Sequence, residues 1–307
     1  MFSIVEIRTG TGTVQYRREL LTGFRCRIST ERIRRCIDQE PPIAAAGEAD
    51  CPFCPGKIEG STPRFPDGSR ICRGESTTFP NLYPFAAFHT VTVISRAHSV
   101  ARFSPRQLSD ALHGQLESLR GYDGYASINW NYLPSAGASL AHPHMQGVAD
   151  ALPTSRAERY ITESHRHRLA TGRIYWDELR EHEADSERYL FGKEIPWIAS
   201  AVPVGEKEIR ALLPIRTADE FGPYIETFAA DLLRILDLYR EAGTHAFNMS
   251  LFFDRKGYDS GFRAFCSIIA RINPNPSSIS DSAFMERLHL EPLILTLPED
   301  IGRKLKR

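Results

Sequence analysis

The run Ala136-Gly137-Ala138-Ser139-Leu140-Ala141-His142-Pro143-His144-Met145-Gln146 constrains the fold more than any other stretch of the 307 residues. It sets two histidines and a glutamine at alternate positions behind a loop of small residues, and an extended backbone sends alternate side chains to one side. A strand is therefore expected here, with residues 142, 144 and 146 able to converge on one ligand. A neutral imidazole can attack phosphorus, and a carboxamide two residues on can hold a phosphoryl oxygen without competing as a nucleophile. The same residues also suit a buried histidine pair satisfied by backbone groups beside a turn proline.

A second feature lies upstream. Cys51-Pro52-Phe53-Cys54-Pro55-Gly56 is a C-x-x-C knuckle in a chain with six cysteines. The segment Met1-Phe2-Ser3-Ile4-Val5-Glu6-Ile7-Arg8 has no apolar core of signal-peptide length, and no segment reaches the roughly 18 apolar residues of a membrane span. A cytoplasmic location is expected, where such a cysteine pair more often binds metal or does redox chemistry than forms a disulfide. A redox pair would open a helix in a βαβ pattern, whereas this one sits between Pro- and Gly-rich loops. Zinc is the expectation. Structural zinc takes four ligands, so Cys51 and Cys54 need two partners, for which His98 and His142 are the candidates. His89, in the strand-like run from Phe88 to Ile94, is the rival ligand.

Composition sets limits rather than a function. The 38 basic and 38 acidic residues cancel, so no basic field argues for nucleic acid or a membrane surface. With 42% apolar residues and no low-complexity tract, the chain is long enough for one large domain or two compact halves. Ser104-Pro105 opens an expected helix to about residue 120, and further helices are expected over 155–187 and 218–242. Strands are expected near 90–95, 124–131, 143–149, 197–203, 208–215, 246–253 and 263–271. Arg32 and Arg35 lie three apart, which on a helical turn would present two guanidinium forks to one side, either as a phosphate clamp or as a solvated basic face.

Taken in order, these motifs resemble the galactose-1-phosphate uridylyltransferase family of the histidine-triad superfamily, from about residue 15 to 160 with a fainter continuation. The resemblance is carried by Arg17-Arg18-Glu19-Leu20-Leu21-Thr22-Gly23 with Arg32 and Arg35, by the knuckle, by Phe79-Pro80-Asn81-Leu82-Tyr83-Pro84 and by Ser95-Arg96-Ala97-His98. Asn131, Gly137, Ser139 and His142-Pro143-His144-Met145-Gln146 complete it. It implies an α+β fold of two related histidine-triad-like halves, antiparallel sheet flanked by helices, here 1–153 and 154–307. It also implies carbohydrate metabolism by ping-pong transfer. His144 would attack a nucleotide sugar, expel a sugar 1-phosphate and pass the nucleotidyl group, expected to be UMP, to a second sugar 1-phosphate.

In that reading Gln146 stabilises the intermediate, a strand carbonyl orients His144, and Arg32, Arg35, Asn81, Asn131, Gly137 and Ser139 contact substrate. Hydrolytic histidine-triad enzymes carry a further His where this chain has Gln146. The zinc would be structural, with Cys51, Cys54, His98 and His142 filling every coordination position. Nucleotide sugar and sugar 1-phosphate are the expected partners, and a homodimer is left open. Two departures stand out. No histidine occurs between His245 and His289, so Glu158 has no partners for the second metal of many relatives, and none is expected. The segment 283–291 matches the family only in outline, which keeps open a phosphorylase or hydrolase using the same histidine. A non-catalytic zinc-stabilised binding module is the third alternative.

Overall fold

The computed structural model describes residues 1–10, 12–31, 51–272 and 282–305. Arg32 and Arg35 lie outside the described residues. The chain begins with β1 (Phe2–Thr9), β2 (Gly12–Glu19) and β3 (Arg25–Ile28), then α1 (Ile58–Ser61), β4 (Ile71–Arg73), β5 (Ser76–Pro80) and β6 (Phe88–Val93). Next come α2 (Pro105–Leu119), β7 (Tyr125–Tyr132), β8 (His144–Asp150), α3 (Ser155–Thr171) and α4 (Tyr175–Ala184). The remainder runs β9 (Tyr189–Phe191), β10 (Trp197–Ala199), β11 (Ile209–Leu212), α5 (Ile225–Glu241), β12 (Ala246–Phe252) and β13 (Phe265–Arg271). It closes with α6 (Phe284–Arg287), β14 (Leu293–Ile294) and α7 (Pro298–Leu305). The fold is α+β, as expected.

Ten strands form one antiparallel sheet in the order β4-β5-β6-β8-β7-β12-β13-β11-β10-β9. From either edge inward the order is the same, with α2 between β6 and β7 and α5 between β11 and β12. The two arrays meet where β7 pairs with β12, Asn129 opposite Ser250 and Asn131 opposite Asn248, so the sheet runs unbroken past residue 153. A smaller sheet, β1-β2-β3-β14, joins the N-terminal hairpin to the C-terminal region through a parallel β3–β14 pair. No helix among the described residues is long and apolar enough to cross a membrane.

The period-2 pattern of the central strands gives the sheet two different faces. Ile128, Trp130, Met145, Met249, Leu251, Cys266 and Ile268 face one way and are buried with Leu112 of α2 and Phe228 and Leu232 of α5. Full burial of each large side chain contributes about 1.5–3 kcal/mol. On the opposite face, the β9–β13 side is covered by α3 and α4, with Tyr160, Trp176, Phe262 and Phe265 packed together. Among the described residues, the β4–β8 side is covered by Phe53 and Ile58 of the knuckle against Phe79, Val91 and Val93.

Several expected elements are reshaped. The helix expected over 155–187 breaks in two because Gly172, at φ +72°, ends α3 in the left-handed conformation and its N–H bonds the Arg168 carbonyl at 2.8 Å. The helix expected from 218 starts as two 3-10 turns, since the Thr217–Glu220 capping box is followed at once by Gly222-Pro223, and α5 begins at Ile225. The strands expected over 197–203 and 208–215 shorten to 197–199 and 209–212. The start of α2 is as expected: Ser104 Oγ accepts the Gln107 N–H and Gln107 Oε1 accepts the Ser104 N–H.

Candidate active site

His144 opens β8 and is 95% buried, paired in register with Val93 of β6. Its Nδ1 lies 2.8 Å from the carbonyl oxygen of His142. A carbonyl can only accept, so Nδ1 carries the proton and Nε2 keeps its lone pair. Burial is the main reason the imidazole titrates below its ordinary value; the bond to His142 opposes that shift and the neighbouring His142 ring adds to it. The arrangement presents a neutral ring with a single nucleophilic nitrogen.

Gln146 follows two residues on and shares the face of His144. Its Oε1 lies 2.8 Å from Nε2 of His89, which therefore donates to it and leaves the amide N–H groups of Gln146 for another acceptor. Asn81 joins this group: its Oδ1 accepts the Tyr83 N–H at 2.9 Å, and its Nδ2 lies 3.0 and 3.4 Å from the two nitrogens of His89. Burial lowers the His89 pKa, opposed by the bond to Gln146. His89, the rival metal ligand, is thus engaged with Gln146 and Asn81.

The turn between β7 and β8 supplies the other side. Leu133 sits at φ +73°, a strained position for a residue with a Cβ, and its carbonyl accepts the N–H groups of Ala136 and Ala138. Gly137 follows at φ +89°, where a Cβ would lie 4.0 Å from Nδ2 of Asn131. Ser139 is exposed just beyond. Asn131, Gly137 and Ser139 therefore belong to one segment leading into the strand of His144 and Gln146. Glu158 lies exposed on the first turn of α3.

His142 does not converge with His144 and Gln146 on one ligand. It precedes β8, is fully buried, and turns its Nδ1 to within 3.6 Å of Cys51 Sγ and 3.7 Å of Cys54 Sγ. Cys54 Sγ is 3.5 Å from Nδ1 of His98. The donor atoms of Cys51, Cys54, His98 and His142 all lie within 4.8 Å of one another, an arrangement that could hold a metal ion. Metal bonds of about 2.3 Å to sulfur and 2.0 Å to nitrogen give tetrahedral S···N edges of about 3.5 Å, close to those spacings. The other nitrogen of His142, Nε2, donates to the Ser95 carbonyl at 2.8 Å, which frees Nδ1 as a ligand. Phe53, between the two cysteines, packs edge-on against both His142 and His144.

Three contributors were not anticipated from sequence: His89 as the partner of Gln146, Asn248, which reaches Asn131 from the far array, and Arg271, which bonds Asn248. The alternation of 89, 91 and 93 in β6 could have placed His89 on the face of Gln146. Asn248 is separated from Asn131 by 117 residues and left no local signal.

The fold and this site define a two-array α+β protein with a histidine on a central strand. Comparison with known proteins makes that fold particular. No family model matches the chain. An uncharacterized protein of Archaeoglobus fulgidus is 27% identical over 267 residues, 83% of this chain and 80% of that protein. An ADP-glucose phosphorylase from Arabidopsis thaliana, solved with bound ADP-glucose, superposes with a TM-score of 0.73 at 16% identity, covering 96% of this chain and 99% of that one. A solved uridylyltransferase gives 0.70 at 19% identity, covering 95% and 97%. The chain has the uridylyltransferase fold.

Proposed function

We propose that the chain is a nucleotidyltransferase of the galactose-1-phosphate uridylyltransferase family, acting on nucleotide sugars through a covalent nucleotidyl-histidine. The observation that carries this reading is the polarity of His144: Nδ1 is committed to the His142 carbonyl, so Nε2 is the nucleophile. Nε2 attacks the α-phosphorus of a nucleoside-diphosphate sugar. An N–P bond forms while the bond from phosphorus to the bridging oxygen breaks, and its electron pair leaves with the sugar 1-phosphate. A phosphate oxygen of a second sugar 1-phosphate then attacks the same phosphorus and releases the histidine.

Attack makes the ring cationic, and the Nδ1–H bond strengthens with that charge. The Gln146 amide, the Asn131 Nδ2, the Ser139 hydroxyl and N–H groups near Gly137 are assigned to the phosphoryl oxygens, Asn81 to the nucleotide, and Arg32 and Arg35 to the phosphates. UMP is the proposed cargo, with hexose 1-phosphates as exchange partners. Cys51, Cys54, His98 and His142 are assigned to a structural zinc, which would tie the knuckle to the strand of His144 without taking part in the transfer.

The likeness to ADP-glucose phosphorylase favours a second reading, in which inorganic phosphate is the acceptor. Incubation with UDP-glucose or ADP-glucose labelled at the α-phosphorus tests both. Label held on the protein until sugar 1-phosphate is added identifies the transferase, and release by inorganic phosphate identifies the phosphorylase. Absence of any labelled protein with either donor rejects the proposal.

A further inference from the structure

We infer that Asn248 and Arg271, both from the β9–β13 array, are positioning residues that fix which end of the Asn131 amide faces the substrate. Nη1 of Arg271 lies 2.8 Å from one end of the Asn248 amide. A guanidinium only donates, so that end is Oδ1, and the opposite end of Asn248 must be its NH2. That NH2 has two contacts, the Asn131 amide at 2.7 Å and the Ala136 carbonyl at 2.7 Å. The end of Asn131 it meets is therefore Oδ1, and Nδ2 is turned toward Gly137.

Polarity thus passes from a group that can only donate, through one amide, to the amide assigned to the phosphoryl group. The antiparallel register sets Asn248 directly opposite Asn131, so the relay requires no loop to carry it. Its branch to Ala136 also holds the turn that presents Gly137. A reversed Asn131 would aim an oxygen lone pair at a phosphoryl oxygen, whereas the bound orientation offers a donor before the substrate arrives.

The inference rests on the proposed transfer for its rate readout, so a binding readout is paired with it. Labelling of His144 by nucleotide sugar and calorimetric titration with UMP and AMP would be measured for Asn131→Leu, Asn248→Leu, the double variant, Arg271→Lys and Arg271→Met. Asn248→Leu is expected to slow labelling about tenfold or more, chiefly in kcat. The double variant should be no slower than Asn131→Leu alone, because both changes remove one effect. Arg271→Lys, which still donates, should retain more rate than Arg271→Met.

A wild-type rate in Asn248→Leu, equal rates in the two Arg271 variants, or a double variant slowed by the product of the single effects would overturn the inference. Should the wild type bind a nucleotide without being labelled, the transfer reading fails and the same comparison in affinity decides this one. A wild type that binds neither nucleotide overturns both.

Discussion

The Nε2 of His89 and the Oε1 of Gln146 stand 2.8 Å apart, diagonal neighbours across the β6–β8 pair. His89 thereby sets the direction of the Gln146 amide. His89→Ala should slow labelling of His144 about tenfold with little change in thermal stability, and His89→Asn, which can still donate, should recover part of the loss. Single-turnover labelling checks this, and identical rates for the two variants would refute the role.

His144 and Gln146 should separate cleanly in kinetics. His144→Ala removes the proposed nucleophile, so no covalent adduct and no exchange are expected, while the fold is retained. Gln146→Ala should lower both half-reactions by about 10²–10³-fold without eliminating them, since an amide donor only stabilises developing charge. Mass spectrometry of the trapped adduct and exchange assays measure each. Normal exchange by His144→Ala would remove the proposed mechanism.

Metal content tests the Cys51, Cys54, His98 and His142 cluster. Protein purified without chelator should carry about one zinc per chain, and Cys51→Ser should lose or weaken it. The melting temperature should fall at least as markedly as the chemistry, because a closed site contributes to folding rather than to bond-making. His98→Ala that kept its full zinc content would exclude His98 as a ligand.

Acid stability should follow Glu208. Its carboxylate is fully buried, bonded to Arg210 at 3.0 Å, Arg156 at 3.1 Å and Ser267 at 2.6 Å. Burial alone would raise its pKa, but the two guanidinium groups outweigh this and bring it to about 2. Because the folded value lies below the unfolded value of about 4.3, its contribution of about 3 kcal/mol is fully present above pH 4.3 and lost as the pH falls toward 2. Glu208→Gln should cost about 3–5 kcal/mol at pH 7 and flatten that acid dependence. Urea unfolding across this range measures both, and an unchanged slope in Glu208→Gln would contradict the assignment.

What sequence revealed and what it hid divide by distance along the chain. The knuckle, the strand from His144 and the capped start of α2 are signals a few residues long, and each was legible. The break at Gly172 is an equally local signal, but the helical pattern on either side masked it and one continuous helix was expected. The parallel pairing of β14 with β3 and the reach of Asn248 to Asn131 depend on segments brought together only by the finished sheet. The role of His89 lay between these cases. Its face could be read from strand alternation, but its partner required the register of β6 on β8.

The ten-stranded sheet builds the same strand order twice, and among the described residues α3 and α4 cover one copy but not the other. Where Gln146 stands opposite Val91 and Asn129, Ser267 stands opposite Arg210 and Ser250 in the second array. There, Ser267 is spent on Glu208, and Phe265 is fully buried in the cluster with Tyr160 and Trp176. The duplicated frame is therefore unequal in its duties, one array presenting His144, the proposed nucleophile, and the other burying Phe265 at the matching position. In stoichiometric terms, saturating labelling should stop at a single nucleotidyl group per chain, however large the excess of donor.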